Sequence, residues 1–138
     1  QAAFHPTGTF LLIAHFVSGD LALFDTKCAA LTAPPAALIS LPGHRDVATH
    51  GNMLYKGPRA HGVAWTPCGT RAIACDAGLA SMVWVLGFDA ERGDLKIRAG
   101  VRCAADTPWH GFMNAALGLV LPMGKARHAV VHPGGRWV

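Results

Sequence analysis

A proline-glycine turn comes back three times in this chain, and its spacing limits the folds available. The copies are Pro6-Thr7-Gly8, Pro67-Cys68-Gly69 and Pro133-Gly134-Gly135, with prolines 61 and 66 residues apart. Each stands beside short apolar runs of strand length. The fullest copy covers residues 57–89, where the turn at 66–69 separates two apolar runs and a second turn at 77–80 precedes a third. A shorter version occupies residues 4–25, and its beginning recurs at 127–138. A unit repeated at this interval cannot bury its apolar faces alone, so it points to units stacked or set around an axis.

The central unit reads as four strands, at 62–66, 71–75, 82–88 and 95–101. Turn chemistry separates them at Pro67-Cys68-Gly69, Ala77-Gly78 and Glu91-Arg92-Gly93-Asp94. Four short consecutive strands form a meander, which is the blade of a β-propeller. The N-terminal copy supplies strands at 10–16 and 21–24, and an edge strand fits 36–41 between helix-breaking prolines. An innermost-strand pattern returns at 129–132. The expected fold class is therefore all-β, a β-propeller piece holding one complete four-stranded blade and parts of its two neighbours. As a single domain, its blade pieces fall at about 1–42, 57–102 and 124–138, joined by connections at 43–56 and 103–123. Within the second connection, residues 114–121 suit a strand or a helical turn equally.

Composition removes several classes of function. Apolar residues make up 51% of the chain and charged ones 14%, which excludes a disordered tail. The longest nearly apolar run, 115–123, is too short to cross a bilayer and contains Pro122. The net charge of +4 is scattered, with no basic stripe of the kind that binds nucleic acid. It suits a small anionic ligand better. Cys28, Cys68, Cys75 and Cys103 follow no metal or redox spacing, so neither a metal nor a cofactor is expected. Cys75 lies in an apolar run and reads as a buried thiol, and a reducing, cytoplasmic setting follows. No Lys/Arg-led apolar segment stands among the first residues, so no signal peptide is expected there. The chain begins at Gln1 rather than Met and stops within a strand pattern, as a piece of a longer protein would.

The repeat also selects a site. His61 stands six residues before Pro67, and Arg127 six before Pro133. They occupy equivalent positions at the entry to the innermost strands of adjacent blades. Such positions meet at one mouth of a propeller's central channel, where one ligand can touch several blades. A guanidinium clamps a carboxylate or phosphate in two-pronged fashion, and an imidazole moves a proton near neutral pH. Asp76, at a strand end, is suited to capping local backbone, and Trp65, Trp84 and Trp137 read as core.

An ordered series of motifs then resembles one family. Pro58-Arg59-Ala60-His61-Gly62-Val63, Pro67-Cys68-Gly69, Asp76-Ala77-Gly78, Phe88-Asp89 and Gly93-Asp94-Leu95 come first. Gly124-Lys125-Ala126-Arg127-His128 and His132-Pro133-Gly134-Gly135-Arg136-Trp137 follow. About two-thirds of the chain is similar to the propeller lactonases, the seven-bladed group of 6-phosphogluconolactonases and 3-carboxy-cis,cis-muconate lactonizing enzymes. Arg59 and Ala126 depart from the family's usual His and Pro, Ala80 stands where Asp is common, and 102–125 looks inserted.

The resemblance implies hydrolysis of a small anionic lactone, or lactonization of a carboxymuconate. A propeller used purely as a binding scaffold is the reading from outside enzymology. By the same resemblance His61 and Arg127 are catalytic, while Arg59 and His128 contribute more weakly to substrate binding. Arg127 would grip the anionic group, and His61 would orient the substrate or transfer a proton. A family glutamate that activates water follows in the next strand, which would start at 136–138. The chain's one glutamate, Glu91, lies in a hairpin turn instead. The site on this chain is thus expected to be incomplete, and the chain alone inactive.

Overall fold

The computed structural model of the protein describes residues 1–27, 34–43, 57–78, 81–103 and 126–135. These form eight strands in two antiparallel four-stranded sheets, each ordered as a meander. The first sheet holds β1 (Ala2–Phe4), β2 (Phe10–His15), β3 (Asp20–Asp25) and β4 (Ala37–Ser40). The second holds β5 (Ala60–Trp65), β6 (Arg71–Asp76), β7 (Met82–Asp89) and β8 (Asp94–Arg102). All four strands of the central unit appear, and so does the edge strand at the end of the first sheet.

The N-terminal sheet is fuller than its sequence suggests, because β1 completes it. Three residues, Ala-Ala-Phe, carry no legible apolar run. They become a strand by pairing Ala3 with Leu12 across the first turn. The stretch 129–132 differs in the other direction, since no strand is assigned between residues 126 and 132. A strand is defined by its ladder partner, and the described residues offer this stretch none. The connections expected at 43–56 and 103–123 lie almost wholly outside the described residues, as do Cys28 and Trp137.

The three proline turns share one geometry. Gly8, Gly69 and Gly135 donate their N–H groups to the carbonyls of His5, Thr66 and His132 at 2.8, 2.9 and 2.7 Å. Their φ angles are 73°, 72° and 68°, a region in which any Cβ is strained. His5 ties the first turn to the second. Its Nδ1 accepts from the Thr7 N–H at 3.2 Å, and its Nε2–H donates to the Gly69 carbonyl at 3.0 Å. A side chain on Gly69 would occupy the His5 ring, so this close approach needs glycine.

The two sheets pack face to face around one apolar core. Alternate residues of β2 (Phe10, Leu12, Ala14) point into it with Leu21 and Leu23. They meet Val63, Trp65, Ala72, Ala74, Leu86 and Leu95 of the second sheet. Burying each large side chain stabilises the fold by about 2 kcal/mol. At one end of this core the rings of His5, Phe10, Trp65 and Phe88 meet edge to face or tilted, with centroids 4.8–6.2 Å apart. The Trp65 indole N–H donates to the Ala3 carbonyl of the other sheet at 3.1 Å. Innermost strands β1 and β5 lie together, and outer strands β4 and β8 pack against each other. This is the relation of adjacent propeller blades.

Candidate functional site

The entry to β5 is irregular, and the irregularity falls on His61. Ala60 pairs with Asp76 and Gly62 with Cys75, which leaves His61 opposite no residue of β6. Such a bulge re-aims one side chain and is common beside binding sites. Gly62 follows because the segment around Arg127 passes directly over it. A Cβ there would collide with the Arg127 carbonyl and approach Gln1 Oε1 to 3.0 Å.

Four sequence-selected residues are brought together here. The His61 Nδ1–H donates to the Arg127 carbonyl at 3.0 Å. The His128 ring stands edge to face on His61, with centroids 4.8 Å apart at 84°. Phe16 approaches the same imidazole at 5.6 Å, and the Arg59 guanidinium carbon lies 4.9 Å from the Phe16 ring centre. Arg127 reaches the site through its main chain, and its guanidinium makes no ion pair among the described residues.

Other contacts fasten these groups. Gln1 Oε1 lies 3.1 Å from His128 Nδ1 and accepts from the Val63 N–H at 3.3 Å. Asp76, fully buried, accepts from the Arg59 and Gly78 N–H groups through one oxygen, at 2.7 Å each. Its expected capping role is thereby extended, since Arg59 stands at the entry to another strand, β5. The Ala77 N–H returns a bond to the Arg59 carbonyl at 2.8 Å. Ser81, buried and held at φ 47°, accepts from the Ala126 N–H at 3.0 Å and so moors the segment that carries Arg127. Phe16, Ser81 and Gln1 bore no sequence signal. Only the non-glycine φ of Ser81 marks it out, and that is visible in the fold alone.

The electrostatics favour a neutral His61 beside an anion. Burial pushes its pKa below the ordinary 6.5, opposed by the bond to the Arg127 carbonyl. The positive charges of His128, Arg127 and the terminal amine push it down further. With Nδ1 holding the proton, Nε2 carries the lone pair and has no hydrogen-bond partner among the described residues. An imidazole in this state accepts a proton, and its cationic surroundings stabilise a bound negative group. Glu91 is far away in the β7–β8 turn, where its N–H bonds Asp89 at 3.0 Å. No group of three His, Cys, Asp or Glu among the described residues is placed to hold a metal.

Sequence reasoning passed over a second chemical feature, in the middle turn. Cys68 is exposed, and its Sγ lies 3.4 Å from the Thr66 hydroxyl and 3.1 Å from that of Thr70. These hydroxyls lower its pKa to about 7. Cys75 is the buried thiol its apolar run implied, and burial raises its pKa.

Two adjacent four-stranded antiparallel sheets packed as blades define a propeller-type fold. Solved structures share it. A Bacteroides uniformis protein designated "putative 6-phosphogluconolactonase" aligns at a TM-score of 0.66 with 18% identity. The alignment takes in 98% of this chain and 33% of that one. A protein from Lactobacillus plantarum aligns at 0.56, again with 18% identity, over 78% of this chain and 29% of its own length. The chain thus spans about a third of the length of the solved structures it resembles. At this identity the likeness is one of fold. No protein-family model matches the chain, and no curated protein matches it.

Proposed function

We propose that the protein is a propeller lactonase that hydrolyses a small anionic lactone, with a 6-phosphogluconolactone-like substrate as the leading candidate. The observation that carries this reading is the bulged His61, its pKa lowered by burial, with Nε2 lacking a partner among the described residues and Arg59, Arg127 and His128 around it. The Bacteroides uniformis neighbour's designation supports the same substrate class. In this reading the blade pieces at 1–42, 57–102 and 124–138 belong to one propeller domain.

Arg127, helped by Arg59, holds the phosphate or carboxylate of the substrate. Arginine suits this role because its planar fork matches an oxyanion. Water attacks the lactone carbonyl while a base takes one of its protons. In this reading the His61 Nε2 lone pair takes that proton, which then passes to the ring oxygen as the C–O bond breaks. A glutamate elsewhere in the intact protein, as in the resembled family, would share the work of activating water.

The test is kinetic, on the intact protein, with 6-phosphogluconolactone and a carboxymuconate as alternative substrates. Arg127→Lys keeps the charge and loses the fork, so it should raise KM about tenfold. His61→Ala should lower kcat by about tenfold or more with little change in KM. Wild-type kinetics in both variants overturn the site. Turnover of the carboxymuconate alone reassigns the reaction to lactonization, and turnover of neither compound leaves a binding scaffold.

A further inference from the structure

A second bulge interrupts the pairing of β7 with β8 in the same sheet, and it displays an arginine. On β8, Ala99 pairs with Val85 and Ile97 with Leu86, so Arg98 is opposite no residue of β7. The only-backbone surface of Gly87 receives it. A Cβ at Gly87 would sit 2.8 Å from Arg98 Nε and 3.1 Å from its Cγ. The side chain therefore lies flat across the strand in a space any other residue would fill. Arg98 has no hydrogen bond or ion pair among the described residues.

Arg98 borders a cavity of about 270 Å³ whose wall also includes Thr70, Arg92 and Lys96. Two carboxylates share this lining, and both are engaged. Asp94 pairs with Lys96 at 2.5 Å. Asp89 accepts the N–H groups of Glu91 and Arg92 through one oxygen, at 3.0 and 3.3 Å, and its other oxygen is 4.0 Å from the Arg92 guanidinium. The cavity thus holds three cations against two anions already paired with Lys96 and Arg92, and Arg98 acts on Asp94 only through space, a smaller effect than that of Lys96. From the level of Met82, beside the entry to β5, to Gly87 is about 16 Å along the strand, so His61 does not share this site.

We propose that Arg98, with Arg92 and Lys96, forms a second ligand site that binds an oxyanion, a phosphate or a carboxylate group of a small molecule. An unpaired guanidinium in a recess is the donor that such groups bind most selectively. The bulge supplies its direction and Gly87 its seat. This inference does not rest on the lactonase reading, because no residue is shared.

The test is an NMR titration of the protein with inorganic phosphate and, separately, citrate, at constant ionic strength maintained with chloride. The Arg98 Nε–H resonance should shift saturably with at least one of them. Arg98→Gln should weaken binding tenfold or more. Gly87→Ala, which displaces Arg98 at unchanged charge, should weaken it severalfold. Lys27→Gln makes the same charge change elsewhere on the surface and should have little effect. Saturation by phosphate alone, by citrate alone or by both identifies the accepted group and supports the site. No saturable shift with either anion overturns it. Equal losses in Arg98→Gln and Lys27→Gln also overturn it, because they mean diffuse charge attraction.

Discussion

Asp76→Ala should loosen the clasp that shapes the entry to β5. The part-buried N–H of Arg59 and the buried N–H of Gly78 lose a carboxylate acceptor held at 2.7 Å. Hydrogen bonds to a charged group are worth about 1.5–3 kcal/mol each, which suggests a gross loss of about 3–6 kcal/mol. Part of this is offset. The second carboxylate oxygen is buried with no hydrogen-bond partner among the described residues, and removing it relieves a desolvation cost. A net loss of about 2–4 kcal/mol remains, large against a total of about 5–15 kcal/mol. For a chain of this size that lowers Tm by on the order of 10 °C. Asp76→Asn keeps one oxygen for both N–H groups and should cost about 1 kcal/mol. Urea and thermal unfolding followed by circular dichroism measure both variants. An alanine variant within about 0.5 kcal/mol of the parent refutes the clasp, since surface changes alone fall in that range. Equal losses in the two variants would show that volume, not hydrogen bonding, is what Asp76 contributes.

The remaining predictions concern single groups. His61 should titrate by NMR with a midpoint below 6.5. Because the unfolded state then binds more protons, its contribution to stability is complete above pH 6.5 and is lost as pH falls from there through the folded midpoint. Gly62→Ala should push the Arg127 carbonyl off the β5 entry, cost about 1–3 kcal/mol, and shift the His61 titration, all readable on one purified variant. An unshifted titration would place the carbonyl elsewhere. Iodoacetamide should alkylate Cys68 with a half-maximal rate near pH 7, while the buried Cys75 reacts only on unfolding. Thr70→Val removes one stabilising hydroxyl and should move that midpoint upward, as a pH–rate series will show.

Much of the fold was legible because its signals are local. A proline at a set φ and a glycine able to adopt positive φ specify each turn within four residues, whatever lies around them. The alternation of buried and partly exposed residues in β2 likewise follows from the two-residue period of a strand. Counting back from the turn prolines placed His61 and Arg127 at equivalent positions, and the fold does bring them into contact.

Contacts across the sheets were decided by tertiary structure. Ala2–Phe4 is a strand only because Leu11, Leu12 and Ile13 lie beside it. The stretch at 129–132 has the strand pattern but no partner among the described residues, and it is not a strand. The bulges that turn out His61 and Arg98 come from a mismatch in length between paired strands, which neither strand carries alone. The space above Gly62 exists for a carbonyl 65 residues away in sequence, at Arg127. A turn is encoded by the residues that form it, whereas a bulge or a close backbone approach is a relation between two segments. Its energy is set only once the chain has brought them together.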